Sequence, residues 1–165
     1  MINPKQFQND IVRPVCKLFV PLQHDQGDTA VEAATELLMG TAMQESHLEY
    51  IHQLGAGPAL GPFQMEPATH NDLWANYIGF HADYSRIVAG LAASGMDRLA
   101  QLEGNLYYAA AMCRMHYMRV PEPLPAAGNL GAQAAYYKKW YNTPLGAATV
   151  DEYINNWHEL QAKLK

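Results

Sequence analysis

Apolar residues recur at intervals of three and four along most of the chain, the period of a helix with one buried face. The clearest case follows Asp28, where Val31, Ala34, Leu38, Thr41 and Glu45 fall on one side of a helical wheel. Asp28 suits an N-cap, so the pattern predicts a helix from Asp28 to about His47. Upstream, Asn3-Pro4 caps and opens a first helix that Pro14 interrupts. Three glycines and a proline between His52 and Gly61 predict a loop. Pro67 starts a helix through about Tyr77, and Asp83 to Ser94 another, stopped by Gly95. Asp97 to about Arg119 reads as one long helical stretch kinked at Gly104. Val120 to Gly131, with Pro121, Pro123 and Pro125, is a loop, and too little chain follows it for a second core. Gly131 to Tyr141 and Thr149 to Leu164 complete the set, the last opened by a Thr149–Glu152 capping box. The expectation is an all-α single domain over residues 1–165 with about seven helices, a small hairpin near the loop being the one place for paired strands.

Composition supports this. Of the 165 residues, 49% are hydrophobic and 16% charged, and Ala, Leu, Met and Tyr outweigh Val and Ile, which favours helix over sheet. A net charge of −5 with no basic stripe argues against nucleic acid as a partner. Two cysteines, Cys16 and Cys113, cannot form a disulfide framework, and Cys113 reads as a buried thiol. The first ten residues lack the basic patch and apolar core of a secretion signal. Val12 to Leu22 carries Arg13, Pro14, Lys17 and Pro21 and cannot span a membrane. The expectation is a monomer made in the cytoplasm, needing another agent for release if it acts outside. His47 and His52 are five residues apart and no HExxH pattern occurs, so neither a metal nor another cofactor is expected.

The chemistry concentrates between Met43 and Trp74. Glu45 ends the apolar face, whereas Glu32 and Glu36 lie elsewhere on the wheel and are expected to be solvated. Burial and the negative end of a helix dipole both raise a carboxyl pKa. A Glu protonated near neutral pH can hand its proton to a glycosidic oxygen. The competing reading is a helix-end carboxylate, exposed or paired with Lys or Arg. Gly55, Gly57 and Gly61 favour the first reading, since they let backbone approach a ligand. Phe63, Gln64 and Met65 offer an apolar wall and an amide for sugar hydroxyl and N-acetyl groups. Tyr107, Tyr108, Tyr136, Tyr137 and Trp140 are expected mostly in the core, with one or two free to stack on sugars. Met112, Met115 and Met118 form a packing stripe.

Glu45-Ser46 followed by Gly57 to Thr69, with Gly61-Pro62-Phe63-Gln64-Met65 and Pro67-Ala68-Thr69 at its centre, resembles the signature of the soluble lytic transglycosylase family. The resemblance covers about a fifth of the chain closely and the remainder only in helix order. It implies a lysozyme-like α-fold and cleavage of the β-1,4 bond between N-acetylmuramic acid and N-acetylglucosamine, with peptidoglycan strands as partner. Glu45 would be the acid/base, oriented by Ser46, with Gln64 and Met65 lining the groove. Asn105, Tyr141 and Asn142 are the counterparts of later family elements, and Tyr141 would bring its hydroxyl near Glu45. Pro62-Phe63, Glu66 and Thr143-Pro144 depart from the family pattern. Shortness and the missing signal resemble phage-encoded endolysins and virion-associated enzymes. An ordinary glycosidase needs two carboxyl groups; a transglycosylase closes a 1,6-anhydro ring with one. Glu49, Glu66, Asp72 and Asp83 are the candidates for a second, each more simply solvated. The rivals are a muramidase-type hydrolase and a non-catalytic wall-binding or virion structural protein.

Overall fold

The computed structural model describes residues 2–22, 27–142 and 146–165. It is all-helical, without a named strand among the described residues. The elements are α1 (Pro4–Gln6), α2 (Arg13–Leu18), α3 (Gly27–Ser46), α4 (Pro67–Asn76), α5 (Ala82–Leu91), α6 (Gln101–Gly104), α7 (Leu106–Met118), α8 (Leu130–Trp140) and α9 (Val150–Leu164). No helix of the described residues is long and apolar enough to cross a membrane.

Local chemistry sets most boundaries. The Asn3 side chain accepts from the Gln6 amide and opens α1. Pro14 does not stop the first helix. The turn ahead of it widens into a π segment, Phe7–Val12, in which the Arg13 amide donates to Gln8. Pro14 has no N–H to offer the Asp10 carbonyl, and that carbonyl accepts the Tyr107 hydroxyl at 2.9 Å instead. Asp28 lies within the first turn of α3 rather than capping it. The stretch predicted as one helix from Asp97 is broken at Asn105. Asn105 is extended and its side chain accepts from the Tyr108 amide, so it caps α7 afresh. Asn129 does the same for α8, and the Thr149–Glu152 capping box opens α9.

The core is one cluster running from Phe7 to Leu160. Its axis is α7, buried all round from Tyr108 to Tyr117, as expected of a helix apolar on every side. The π segment and α2, α3, α4 and α5 pack around α7, while α9 closes over α3 and α8. The α3 stripe behaves as the wheel requires, with Val31, Ala34, Leu38 and Thr41 buried. Cys16 and Cys113 are buried free thiols. Glu32 and Glu36 are not merely solvated. Glu32 pairs with Arg13, and Glu36 Oε2 accepts from Gly128 N at 2.7 Å and Gln133 Nε2 at 2.9 Å. Glu36 thus ties the proline-rich loop after α7 to α3.

Candidate active site

The site begins where α3 ends. Glu45 is the penultimate residue of α3 and is half-buried. The chain then turns sharply, with His47 at φ 50° and Leu48 at φ 56°. Each left-handed residue costs roughly 1–2 kcal/mol. Leu48 is buried, which returns about 1.5–3 kcal/mol. Ser46 supplies the remaining hold. Its Oγ donates to the Pro62 carbonyl at 2.7 Å and accepts from the Leu48 amide at 3.2 Å.

Ser46 therefore does not orient Glu45 by direct contact. It is fully buried and fastens the helix end to the loop. Ser46→Ala would leave the Pro62 carbonyl and Leu48 amide without their partner, at about 1–3 kcal/mol for each buried group. The expected result is a Tm drop of roughly 4–24 °C in thermal unfolding, taking about 2–4 °C per kcal/mol for a chain of this size. A variant as stable as wild type would remove Ser46 from this role.

Beyond the turn the glycine-rich segment forms a minimal hairpin. Gln53 N donates to Ala59 O at 3.0 Å and Gly61 N to Ile51 O at 2.7 Å. Leu60 and Met65 exchange two bonds of 3.0 Å. Isolated antiparallel bridges join His52 to Leu60 and Leu60 to Met65. Gln64 sits at the tip with φ 46°, and its Nε2 donates to the Gly61 carbonyl at 2.8 Å, which leaves Oε1 as an acceptor.

A cleft of about 740 Å³ lies against these pieces. The hairpin segment contributes Tyr50, Gln53, Leu54, Ala59, Gln64 and Met65, and the start of α4 contributes Glu66 and Thr69. The chain end of α8 adds Tyr141, Asn142 and Gly146, and the remaining lining is Glu45 and His116. No Lys or Arg lines it among the described residues.

Burial pushes the Glu45 carboxyl up to about 7, only partly offset by a hydrogen bond from Tyr137. The Tyr137 hydroxyl donates to Glu45 Oε1 at 2.6 Å. Oε2 is therefore the oxygen left for an acidic proton. Asn142 accepts from Lys138 Nζ at 2.9 Å, and its amide lowers the pKa of the Tyr137 hydroxyl, which burial drives far up. His116 Nε2 must donate to the Trp140 carbonyl at 2.8 Å, because a carbonyl only accepts. Burial pulls the His116 ring down to about 4. It is thus neutral near pH 7, with Nδ1 a buried acceptor lacking a protein partner.

Of the residues singled out in the sequence, Glu45, Gln64, Met65, Tyr141 and Asn142 meet at this cleft. Three do not. Ser46 is the buried tie described above. Phe63 is 1% exposed, packs 6.0 Å from the Phe7 ring and forms no wall of the cleft. Asn105 caps α7 and its Nδ2 donates to the Leu91 carbonyl at 2.8 Å, a bond that joins α5 to α7 away from the cleft. The role expected of Tyr141 also moves. Its hydroxyl donates to the Phe63 carbonyl at 2.7 Å, and Tyr137, one helical turn earlier, is the tyrosine on Glu45. The spacing of four between them was the available signal. Among the other described carboxylates, Glu66 alone shares the cleft, at an exposed position. Asp72 pairs with Arg119 at 2.6 Å, Asp83 with Arg86 at 2.5 Å, and Glu49 is exposed outside it. Thr143-Pro144 lies outside the described residues.

No family model, curated protein or solved structure matches the chain.

Proposed function

We propose that the protein is a peptidoglycan-cleaving lytic transglycosylase with a lysozyme-like arrangement of helices. The observation that carries this reading is Glu45: a half-buried carboxyl at the cleft, raised to about 7 and held through Oε1 by Tyr137. That is an acid poised to donate near neutral pH. Protonated Glu45 gives its Oε2 proton to the oxygen linking muramyl C1 to the next sugar. The C1–O bond breaks with the electron pair leaving on that oxygen. The muramyl C6 hydroxyl then attacks C1, its proton returns to Glu45, and a 1,6-anhydro ring closes without water. Gln64 Oε1 offers an acceptor for sugar hydroxyl or acetamido N–H groups. Tyr50, Leu54 and Met65 give apolar surface for ring faces. The absence of Lys and Arg from the described lining suits an uncharged glycan backbone better than an anionic polymer. The glycan strand is the proposed partner and the cell wall the proposed place of action, reached in the manner of a phage-encoded enzyme.

Hydrolysis is the second reading, because Glu66 shares the cleft and is the one described carboxylate placed to act as a base.

The pH profile tests the assignment of the acid. Lysis of purified walls should fall as pH rises through about 7, losing about tenfold per unit well above it, because only protonated Glu45 donates. Tyr137→Phe removes the bond that lowers the Glu45 pKa. It should lower the plateau rate and shift the falling limb to higher pH by up to about one unit. A limb that stays in place, or moves to lower pH, would detach Tyr137 from Glu45 and the limb from this pair.

A further inference from the structure

A second polar site lies within the apolar body of the molecule. Arg114 sits in the middle of α7 with 1% of its surface exposed. Its Nε and Nη1 have no hydrogen-bond partner. No carboxylate pairs with it among the described residues, and no aromatic ring lies under its guanidinium there. Burial pulls its pKa down, yet a guanidinium stays charged at any working pH. An unpaired buried charge costs several kcal/mol.

Arg114 lines a cavity of about 230 Å³ that shares no lining residue with the Glu45 cleft. Tyr84, Tyr117 and Tyr136 form aromatic walls, and Val120, Pro123 and Leu124 of the proline-rich loop add to the lining. The acidic group in the lining, Glu122, is engaged elsewhere, with Lys139 Nζ at 2.5 Å and Trp140 Nε1 at 3.0 Å. The Tyr136 hydroxyl donates to the Glu122 backbone carbonyl at 3.0 Å. The cavity thus touches the Arg114 side chain and offers aromatic and apolar walls with no free carboxylate.

We infer that this cavity binds a small oxyanion, a phosphate or a carboxylate group, on the Arg114 guanidinium beneath the loop that follows α7. The planar fork of Arg donors matches two oxygens of either group. Glu36 anchors the far end of that loop through Gly128.

The test is a titration of the whole protein with sodium phosphate, and separately sodium acetate, at fixed ionic strength. Tm and the ¹H–¹⁵N resonance of Arg114 Nε are followed together. Wild type should show a saturable Tm rise of roughly 5–10 °C at about a hundred times Kd. The Nε resonance should shift over the same concentration range. Arg114→Met should lose the saturable rise and start, without the anion, no less stable than wild type, since an apolar side chain replaces an unpaired charge. A response to phosphate alone identifies a tetrahedral ligand, and one to acetate alone a carboxylate; either supports the site. Equal Tm responses in both proteins, or an Nε resonance unmoved by both anions, would overturn it. The resonance decides in wild type even if Arg114→Met does not fold.

Discussion

Glu45→Gln should abolish wall cleavage while leaving a folded protein that is more stable than wild type at pH 8. The rate loss is expected at the upper end of what one acid–base group supplies, about 10³–10⁴-fold, because the same carboxyl serves both the departure of the sugar and the closing of the ring. The stability gain follows from linkage. The Glu45 pKa rises from 4.5 unfolded to about 7 folded, so the folded state binds the proton more tightly. Its favourable contribution is complete below about 4.5 and is lost as pH rises through about 7. Above that, wild type carries a half-buried carboxylate that Gln lacks. A shift of this size corresponds to at most ~3 kcal/mol, and partial exposure of the group brings the expectation to about 1–2 kcal/mol. Thermal unfolding at pH 5 and pH 8 checks this. The Tm difference between the two proteins should be small at pH 5 and favour the variant at pH 8. A variant less stable at pH 8 than at pH 5, relative to wild type, would mean that Glu45 is stabilised as a carboxylate, and the proton-donor role would fail with it.

Gly61→Ala should be the most damaging single substitution in the hairpin. Gly61 has φ +75°, and a Cβ there would sit 1.9 Å from the Leu102 carbonyl oxygen of α6. Both partners are backbone, so no side chain can swing away. The same residue closes the turn, with its amide on Ile51 and its carbonyl taken by the Gln64 backbone and side-chain amides. The left-handed conformation alone costs about 1–2 kcal/mol, and the overlap brings the expected loss to about 3–5 kcal/mol. Displacing the turn also moves Gln64 and Met65, so glycan cleavage should fall with stability. Gly55→Ala is the control. Its φ is +84° with nothing within 4 Å of the added carbon, so only the conformational cost of about 1–2 kcal/mol applies. Comparing the two denaturant midpoints separates the terms. Equal losses would mean that the Leu102 contact does not hold the hairpin.

What the chain discloses without coordinates follows from how local each signal is. Asn3, Asn129 and the Thr149–Glu152 pair act on amides within three residues, and side chains of this kind mark their helix ends in the sequence. The Val31-to-Glu45 stripe needs only the helical period, so Glu45 could be picked out before its surroundings were known. Ser46 shows where such reasoning stops. Its key partner, the Pro62 carbonyl, lies across the hairpin, and spacing alone cannot distinguish a tie to backbone from a hydrogen bond to the neighbouring acid. Tyr137 and Tyr141 share a helix face, and the docking of α8 on α3 decides which hydroxyl reaches Glu45. Pro14 reads as a stop, but a π segment and the distant Tyr107 absorb its effect. Phe63 reads as a wall because aromatic residues serve in both clefts and cores; its burial against Phe7 is a tertiary outcome. Arg114 was hidden for the opposite reason, since one charge in an apolar helix looks like the edge of an exposed face until every side of α7 is seen to be covered.

Mass spectrometry of the fragments released from purified peptidoglycan by wild type and Glu45→Gln, side by side, reads out whether Glu45 alone drives cleavage and ring closure. Fragments ending in 1,6-anhydro-muramic acid, made by wild type and absent with the variant, are the predicted result. Reducing muramic acid ends would contradict the one-carboxylate mechanism and turn attention to Glu66 as the missing base. Equal release of glycan fragments by both proteins would remove Glu45 from the reaction.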